Sequence, residues 1–138
     1  MRLFTYFKNL FCREKPEPVN EEDKFVYKQF RQITSALSKK LVSMQNIEYN
    51  ISESFVLSSS DWFARSVALE IRKNTNDEGY GYLILHLLHP HCMCDASTIV
   101  LYGEKASLLE FLNSNEGIEK LIHGARTTDE EMKNWDDQ

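Results

Sequence analysis

The sequence has few of the residues on which compact catalytic motifs depend. Its five glycines are scattered at positions 79, 81, 103, 117 and 124, so the chain has no glycine-rich loop to hold a phosphate. It also lacks the Gly-x-Ser-x-Gly pattern of a hydrolase nucleophile. The serine-rich run from Ser58 to Trp62 is more typical of a turn or a helix cap. These absences favour a protein that is not an enzyme.

Long hydrophobic runs are also missing. The longest apolar run, YLILHLL, begins at Tyr82 and has the length of a strand, whereas a membrane-spanning helix needs about 20 apolar residues. The three cysteines are an odd number, and the first residues lack the pattern of a secretory signal. We therefore expect a cytoplasmic protein without a transmembrane segment.

Size and charge limit the number of domains and the kind of partner. With 138 residues, of which 42% are hydrophobic and 27% are charged, the chain is large enough to bury one core. Its 21 acidic and 16 basic side chains give a formal net charge of -5, which repels nucleic-acid phosphates unless positive charge is gathered on one face. The charge therefore disfavours direct nucleic-acid binding and favours a basic protein as the partner.

An amphipathic N-terminal segment and a linker with two prolines occupy residues 1–19, ahead of a single domain over residues 20–138. Apolar side chains recur in the segment at helical spacing, at Leu3, Phe4, Phe7, Leu10 and Phe11. Basic side chains lie around them in the sequence, at Arg2, Lys8, Arg13 and Lys15. Two interpretations fit this pattern. The segment either packs its aromatic rings on the core or docks on a membrane surface or a partner helix.

The periodicity of the apolar residues predicts an α+β fold. Behind a cap at Asn20, one apolar stripe predicts a long amphipathic helix over residues 21–44, and its members are Val26, Phe30, Ile33, Leu37, Leu41 and Met44. Apolar and polar residues then alternate near positions 49–57, 65–73, 80–89 and 97–102. This alternation predicts a four-stranded antiparallel sheet in meander order.

Helical periodicity returns after Gly103 and predicts C-terminal helices. Two apolar faces are separated by a break near Ser114, and Gly124 is positioned to end the second helix. Thr128 and Glu131 have the spacing of a capping box, which predicts a last short helix in an acidic tail.

The stretch HLLHPHCMCD, from His86 to Asp95, raises the question of a metal site. Such a site would take four ligands from six consecutive residues, namely His89, His91, Cys92 and Cys94. Structural zinc sites instead join two ligand pairs that lie a dozen or more residues apart. We therefore expect no cofactor, and a hairpin connection whose cysteines act as small apolar side chains. A small metal- or thiol-dependent protein is the third functional hypothesis.

One predicted strand face is rich in aromatic residues of mixed polarity, and it carries Tyr80, Tyr82, His86, Val100 and Tyr102. Tyrosines are typical interface anchors because they bury a large area and keep a hydroxyl for hydrogen bonding. Either the long helix covers this face, or the face binds a partner or a second copy of the chain. The acidic side chains of the tail either meet a cationic surface or form a solvated tail, which is the more common meaning of such a run; they are Asp129, Glu130, Glu131, Asp136 and Asp137.

In size, acidity and predicted fold class, the chain resembles the immunity and antitoxin proteins that neutralise basic nuclease toxins, although no residue motif carries the resemblance. A nuclease active site is positive because it holds phosphates, and a rigid acidic surface can occupy it. The resemblance implies a stoichiometric inhibitor of a basic toxin or nuclease. The expected contacts are Tyr80, Tyr82, His86, Tyr102, Asp129, Glu130 and Glu131. The alternative is an adaptor or regulatory domain that docks through its basic N-terminus.

Overall fold

The computed structural model describes residues 21–89 and 94–136, with side chains up to Trp135. The elements follow in the order α1 (Glu21–Val42), β1 (Ile51–Val56), β2 (Ser66–Lys73), β3 (Tyr80–His89), β4 (Cys94–Glu104), α2 (Lys105–Leu112) and α3 (Asn115–Asp136). The four strands form one antiparallel sheet in the order β1-β2-β3-β4. The predicted α+β fold with a meander sheet is confirmed. Asn20 and the N-terminal segment lie outside the described residues.

Helix α1 forms where the sequence predicts it. Acidic side chains at Glu21, Glu22 and Asp23 occupy its first turn, where they offset the partial positive charge of the helix N-terminus. The apolar stripe is buried, and Phe30 meets Phe55 of β1 edge to face with 5.3 Å between ring centroids. The helix ends at Val42, slightly before the predicted Met44, which is buried in the turn that follows. None of the helices within residues 21–89 and 94–136 combines the length and apolarity needed to cross a bilayer.

The sheet buries one of its two faces. Leu83, Leu85 and Leu87 of β3 are at most 2% exposed, and they join the inward residues of β2 in one core with the helices. Helix α1 packs on β1 and β2, while α2 and α3 pack on β3 and β4. All three described helices therefore lie on the leucine side of the sheet, as strand alternation requires.

The C-terminal helices differ in part from the prediction. The break is confirmed, because α2 ends at Leu112 and α3 begins at Asn115. The expected helix end at Gly124 and the separate last helix are wrong, because α3 runs without interruption to Asp136. Packing explains the difference: α3 buries an apolar stripe on both sides of Gly124, and this outweighs the low helix propensity of one glycine.

Gly117 provides a stability test at the junction of α2 and α3. A Cβ atom added there would lie 2.1 Å from the Phe111 carbonyl oxygen, which is far inside van der Waals contact. We expect Gly117→Ala to lower the free energy of unfolding by about 1–3 kcal/mol in urea denaturation, because the backbone must move.

The matched control is Gly124→Ala in the same helix. A Cβ atom at this position would lie 3.6 Å from Leu85 Cδ2, which is an ordinary contact. Alanine is the better helix former, so this change should raise the free energy of unfolding by up to about 1 kcal/mol. Equal effects of the two substitutions would contradict the close approach at Gly117.

Candidate binding face on the open side of the sheet

The side of the sheet opposite the helices carries the predicted aromatic residues. We define the open sheet face as the outward side chains of β2, β3 and β4: Glu70, Arg72, Tyr80, Tyr82, Ile84, His86, Ser97, Ile99 and Tyr102. No helix among the described residues packs on this face, so the interpretation that the long helix covers it is wrong. Ile84 lies at the centre of the open sheet face and is only 6% exposed, although it does not belong to the core beneath the helices.

A β-bulge changes which residue of β4 reaches the open sheet face. Leu83 pairs with Leu101, but the next residue, Ile84, pairs with Ile99, which leaves Val100 as an extra residue in β4. Val100 is half-buried against the core, and Ile99, with 60% of its surface exposed, takes the outward position. The placement of Val100 beside the tyrosines is therefore wrong, because strict alternation does not anticipate an inserted residue.

Tyr80, Tyr82 and Tyr102 come together as the tyrosine cluster. The ring of Tyr102 lies between the other two, with centroids 5.5 Å from Tyr80 and 4.7 Å from Tyr82. Tyr82 and Tyr102 are direct cross-strand partners, and aromatic pairs of this kind stabilise a sheet. Tyr102 remains 41% exposed, so the cluster presents aromatic surface to solvent.

Acidic and amide side chains hold the hydroxyl ends of this cluster. Tyr102 accepts a hydrogen bond from Asn74 (2.9 Å) and donates one to Asp77 (3.2 Å), while Tyr80 donates to Glu104 (3.4 Å). The Glu104 carboxylate, followed by burial, raises the pKa of Tyr80. Burial raises the pKa of Tyr102, and Asp77 adds to this effect. Both phenols are therefore neutral at physiological pH and act as hydrogen-bond donors.

The β2–β3 turn positions Asp77 beside Tyr102. The backbone N–H of Asn74 donates to the Tyr80 carbonyl (2.9 Å), and its side-chain oxygen accepts from the N–H of Asn76. Gly79 completes the turn with a φ of 94°, a value that side chains other than glycine rarely adopt. The turn-rich sequence NTNDEG thus fixes an acidic group at one end of the tyrosine cluster.

A second polar group on the open sheet face is the His86 network, formed by Glu70, Arg72, His86 and Ser97. The imidazole lies between Ser97 Oγ, 2.7 Å from Nδ1, and Glu70 Oε1, 2.9 Å from Nε2. Arg72 donates to both oxygens of Glu70, at 3.1 and 3.0 Å. Burial alone raises the pKa of Glu70, but the hydrogen bonds and charges of Arg72 and His86 outweigh burial and lower it. Glu70 is therefore ionised and held in place.

The order hydroxyl, imidazole, carboxylate in this network is also that of a nucleophile with its base and orienting acid. Nucleophilic catalysis further requires donors aimed at the developing oxyanion and a site that excludes water. Ser97 is exposed on the surface of an edge strand. The hydrogen bonds of the His86 network fix its donors and acceptors in advance on an open surface.

The acidic residues predicted for binding lie away from the tyrosine cluster. Asp129 is 4% exposed, and its two oxygens accept hydrogen bonds from the N–H groups of Phe63 (3.1 Å) and Ala64 (2.8 Å). Glu130 and Glu131 are exposed on α3, in the helical layer. The structure thus brings Tyr80, Tyr82, His86 and Tyr102 together and leaves the three acids on another element, with Asp129 committed to the β1–β2 loop.

The described part of the histidine and cysteine stretch lies at one end of the β3–β4 hairpin. His89 and Cys94 are direct cross-strand partners, and the His89 ring lies 4.7 Å from the ring of Phe63. His91 and Cys92 are outside the described residues. Within residues 21–89 and 94–136, no group of three or more histidine, cysteine, aspartate or glutamate side chains is placed to hold a metal ion.

Four polar residues of this site, Glu70, Ser97, Asp77 and Glu104, were not predicted as binding residues. Glu70 alternates with apolar residues in β2, so parity alone places it on the outward face, whereas Ser97 reaches that face only because of the bulge at Val100. Their contacts with His86 depend on the register between strands, which the turn residues and the bulge determine. In β2 and β3 the alternation therefore identifies the outward face, but it does not show which side chains of neighbouring strands meet.

Comparison with known proteins found no protein-family model, no curated protein and no solved structure that matches this chain.

Asp129 gives a direct test of its structural role. Asp129→Ala leaves two N–H groups of the β1–β2 loop without their acceptor, so we expect the free energy of unfolding to fall by about 1.5–3 kcal/mol. Glu130→Ala is the control, because its exposed side chain should matter by no more than about 0.5 kcal/mol. Equal stability of the two variants would show that Asp129 does not anchor the loop.

Proposed function

We propose that this protein is a binding module that uses its open sheet face to hold a basic protein in a one-to-one complex, as an immunity-type inhibitor of a toxin or nuclease. The observation that carries the proposal is the tyrosine cluster, which is exposed on a sheet face that no described helix covers. Exposed aromatic patches of this kind on soluble proteins are typical of interaction sites.

The arrangement of the open sheet face supports the proposal. Ile84 and Ile99 are direct partners at its centre, and the tyrosine cluster lies beside them. Polar groups surround this apolar centre, with the His86 network on one side and the acidic partners of the tyrosines on the other. An apolar, aromatic centre with a polar rim is the usual anatomy of a protein–protein interface.

The charge of the face favours a basic partner. Four carboxylates lie on the face or at its ends, those of Glu70, Asp77, Asp95 and Glu104, and Arg72 is the one basic residue in the set that defines the open sheet face. A nuclease active site presents cationic groups to phosphates, and fixed carboxylates on a rigid sheet can take the place of those phosphates. Hydrogen bonds already fix the side chains of Glu70 and Asp77, so less conformational entropy is lost when a partner binds.

Ile99→Arg tests the proposed surface without removing a core contact. A bulky cation at the centre of the face should repel a basic partner and prevent close packing, so the apparent Kd should rise at least about tenfold. The partner is first recovered with the tagged wild-type chain, and its affinity for both forms is then measured by calorimetry. One equivalent of wild-type protein should abolish the activity of that partner.

Val42→Arg is the matched control, because Val42 is also 60% exposed and β-branched but lies at the end of α1 in the helical layer. Circular dichroism and thermal unfolding establish that both variants fold. If folded Ile99→Arg binds as tightly as Val42→Arg, the open sheet face is not the binding surface. Failure to recover any stoichiometric partner would contradict the binding function itself.

A further inference from the structure

Positive charge is concentrated in the first third of this acidic protein. Residues 1–42 carry nine basic and five acidic side chains, a formal charge of +4, whereas residues 43–138 carry seven basic and sixteen acidic side chains, a charge of -9. Within α1, the stretch from Lys24 to Val42 contains five basic residues and no acidic residue. Charge asymmetry of this kind indicates that the basic part of a chain contacts an anionic partner or surface, or forms a charged tail.

The structure places part of this charge around an apolar groove between α1 and α3. The groove has a volume of about 630 Å³ and is lined mainly by apolar atoms, including those of Tyr27 and Ile122. Four cationic side chains surround it: Lys24, Lys28 and Arg31 from α1, and Arg126 from α3. Two of these cations have acidic partners: Arg126 is paired with Asp23, which also lines the groove, and Lys24 is paired with Glu21.

Neighbouring contacts hold two of these cations beside the groove. Arg31 donates to Asn115 Oδ1 (2.9 Å) at the start of α3 and lies 5.7 Å from the centre of the Tyr27 ring. Arg126 lies 5.0 Å from the centre of the Trp62 ring. Lys24 and Lys28 are exposed on the outer side of α1, where their charged ends can reach a partner.

We propose that α1 and this groove form a docking surface for an anionic phospholipid membrane. The four cations would meet the lipid phosphates, while Tyr27 and Ile122 would contact the acyl boundary between them. The surface belongs to the helical layer and is separate from the open sheet face. A chain docked in this way therefore keeps the open sheet face available, so the proposal does not depend on the protein-binding function.

The distribution of charge favours a membrane over an acidic peptide as the occupant. The cations are not confined to the groove, because Lys39 is exposed in the last turn of α1, whereas Lys40 is paired there with Glu53 of β1. Residues 1–15, which join α1 through the linker, add four basic and five large apolar residues of the amphipathic pattern. Exposed cations on α1, together with basic and apolar residues in the same chain, fit a planar anionic layer, since membrane attachment needs two such signals.

Vesicle binding tests the proposal with the full chain. Co-sedimentation is measured with vesicles of phosphatidylcholine alone and of equal parts phosphatidylcholine and phosphatidylserine. The wild-type protein should bind only the anionic vesicles, and added salt should weaken binding. Each basic side chain near an anionic surface contributes about fivefold, so Lys24→Glu with Lys28→Glu should lower the partition coefficient at least about tenfold.

The control variant combines Lys73→Glu with Lys120→Glu, which changes the net charge equally at two exposed lysines away from the groove. Lys120 is paired with Glu116 on its own helix, as Lys24 is with Glu21, so the two variants lose similar local contacts. Wild-type binding by the Lys24/Lys28 variant, or equal losses in both variants, would overturn the proposal. Binding of an acidic amphipathic peptide, without binding to anionic vesicles, would also overturn it and assign the groove to a protein partner.

Discussion

The rest of the structure depends on the packing of the leucine side of β3 against the helices. Leu83, Leu85 and Leu87 lie under α2 and α3, and α1 completes the same layer over β1 and β2. Because side chains alternate along a strand, placing the leucines beneath the helices forces Tyr80, Tyr82 and His86 to the other side. The candidate binding face is thus a direct product of the way the core forms.

The loop between β1 and β2 shows how the helical layer is fixed to the sheet. Asp129 of α3 binds the loop backbone at Phe63 and Ala64, while Glu22 of α1 accepts a hydrogen bond from the Trp62 indole (2.9 Å). One short loop therefore joins the two long helices. A carboxylate that sequence reasoning assigned to partner binding instead belongs to this internal attachment.

The sequence was sufficient to predict the first helix, the four strands and the outward side of β3. The alternation in β3 and the apolar stripe of α1 are local signals, and the bounds and buried residues of both elements agree closely with them. The extra residue at Val100, the continuity of α3 through Gly124 and the burial of Asp129 were not predictable in this way. Each depends on contacts between segments distant in sequence, which no local period encodes.

The bulge at Val100 also affects how the sheet ends. β4 is an edge strand of eleven residues, and a long regular edge exposes a row of unpaired backbone groups to which another strand can add. An inserted residue interrupts that row and increases the local twist, and Asp95 and Glu104 place charges near its two ends. The same irregularity that brings Ile99 outward thus protects a long, solvent-facing strand from edge-to-edge assembly into fibrils.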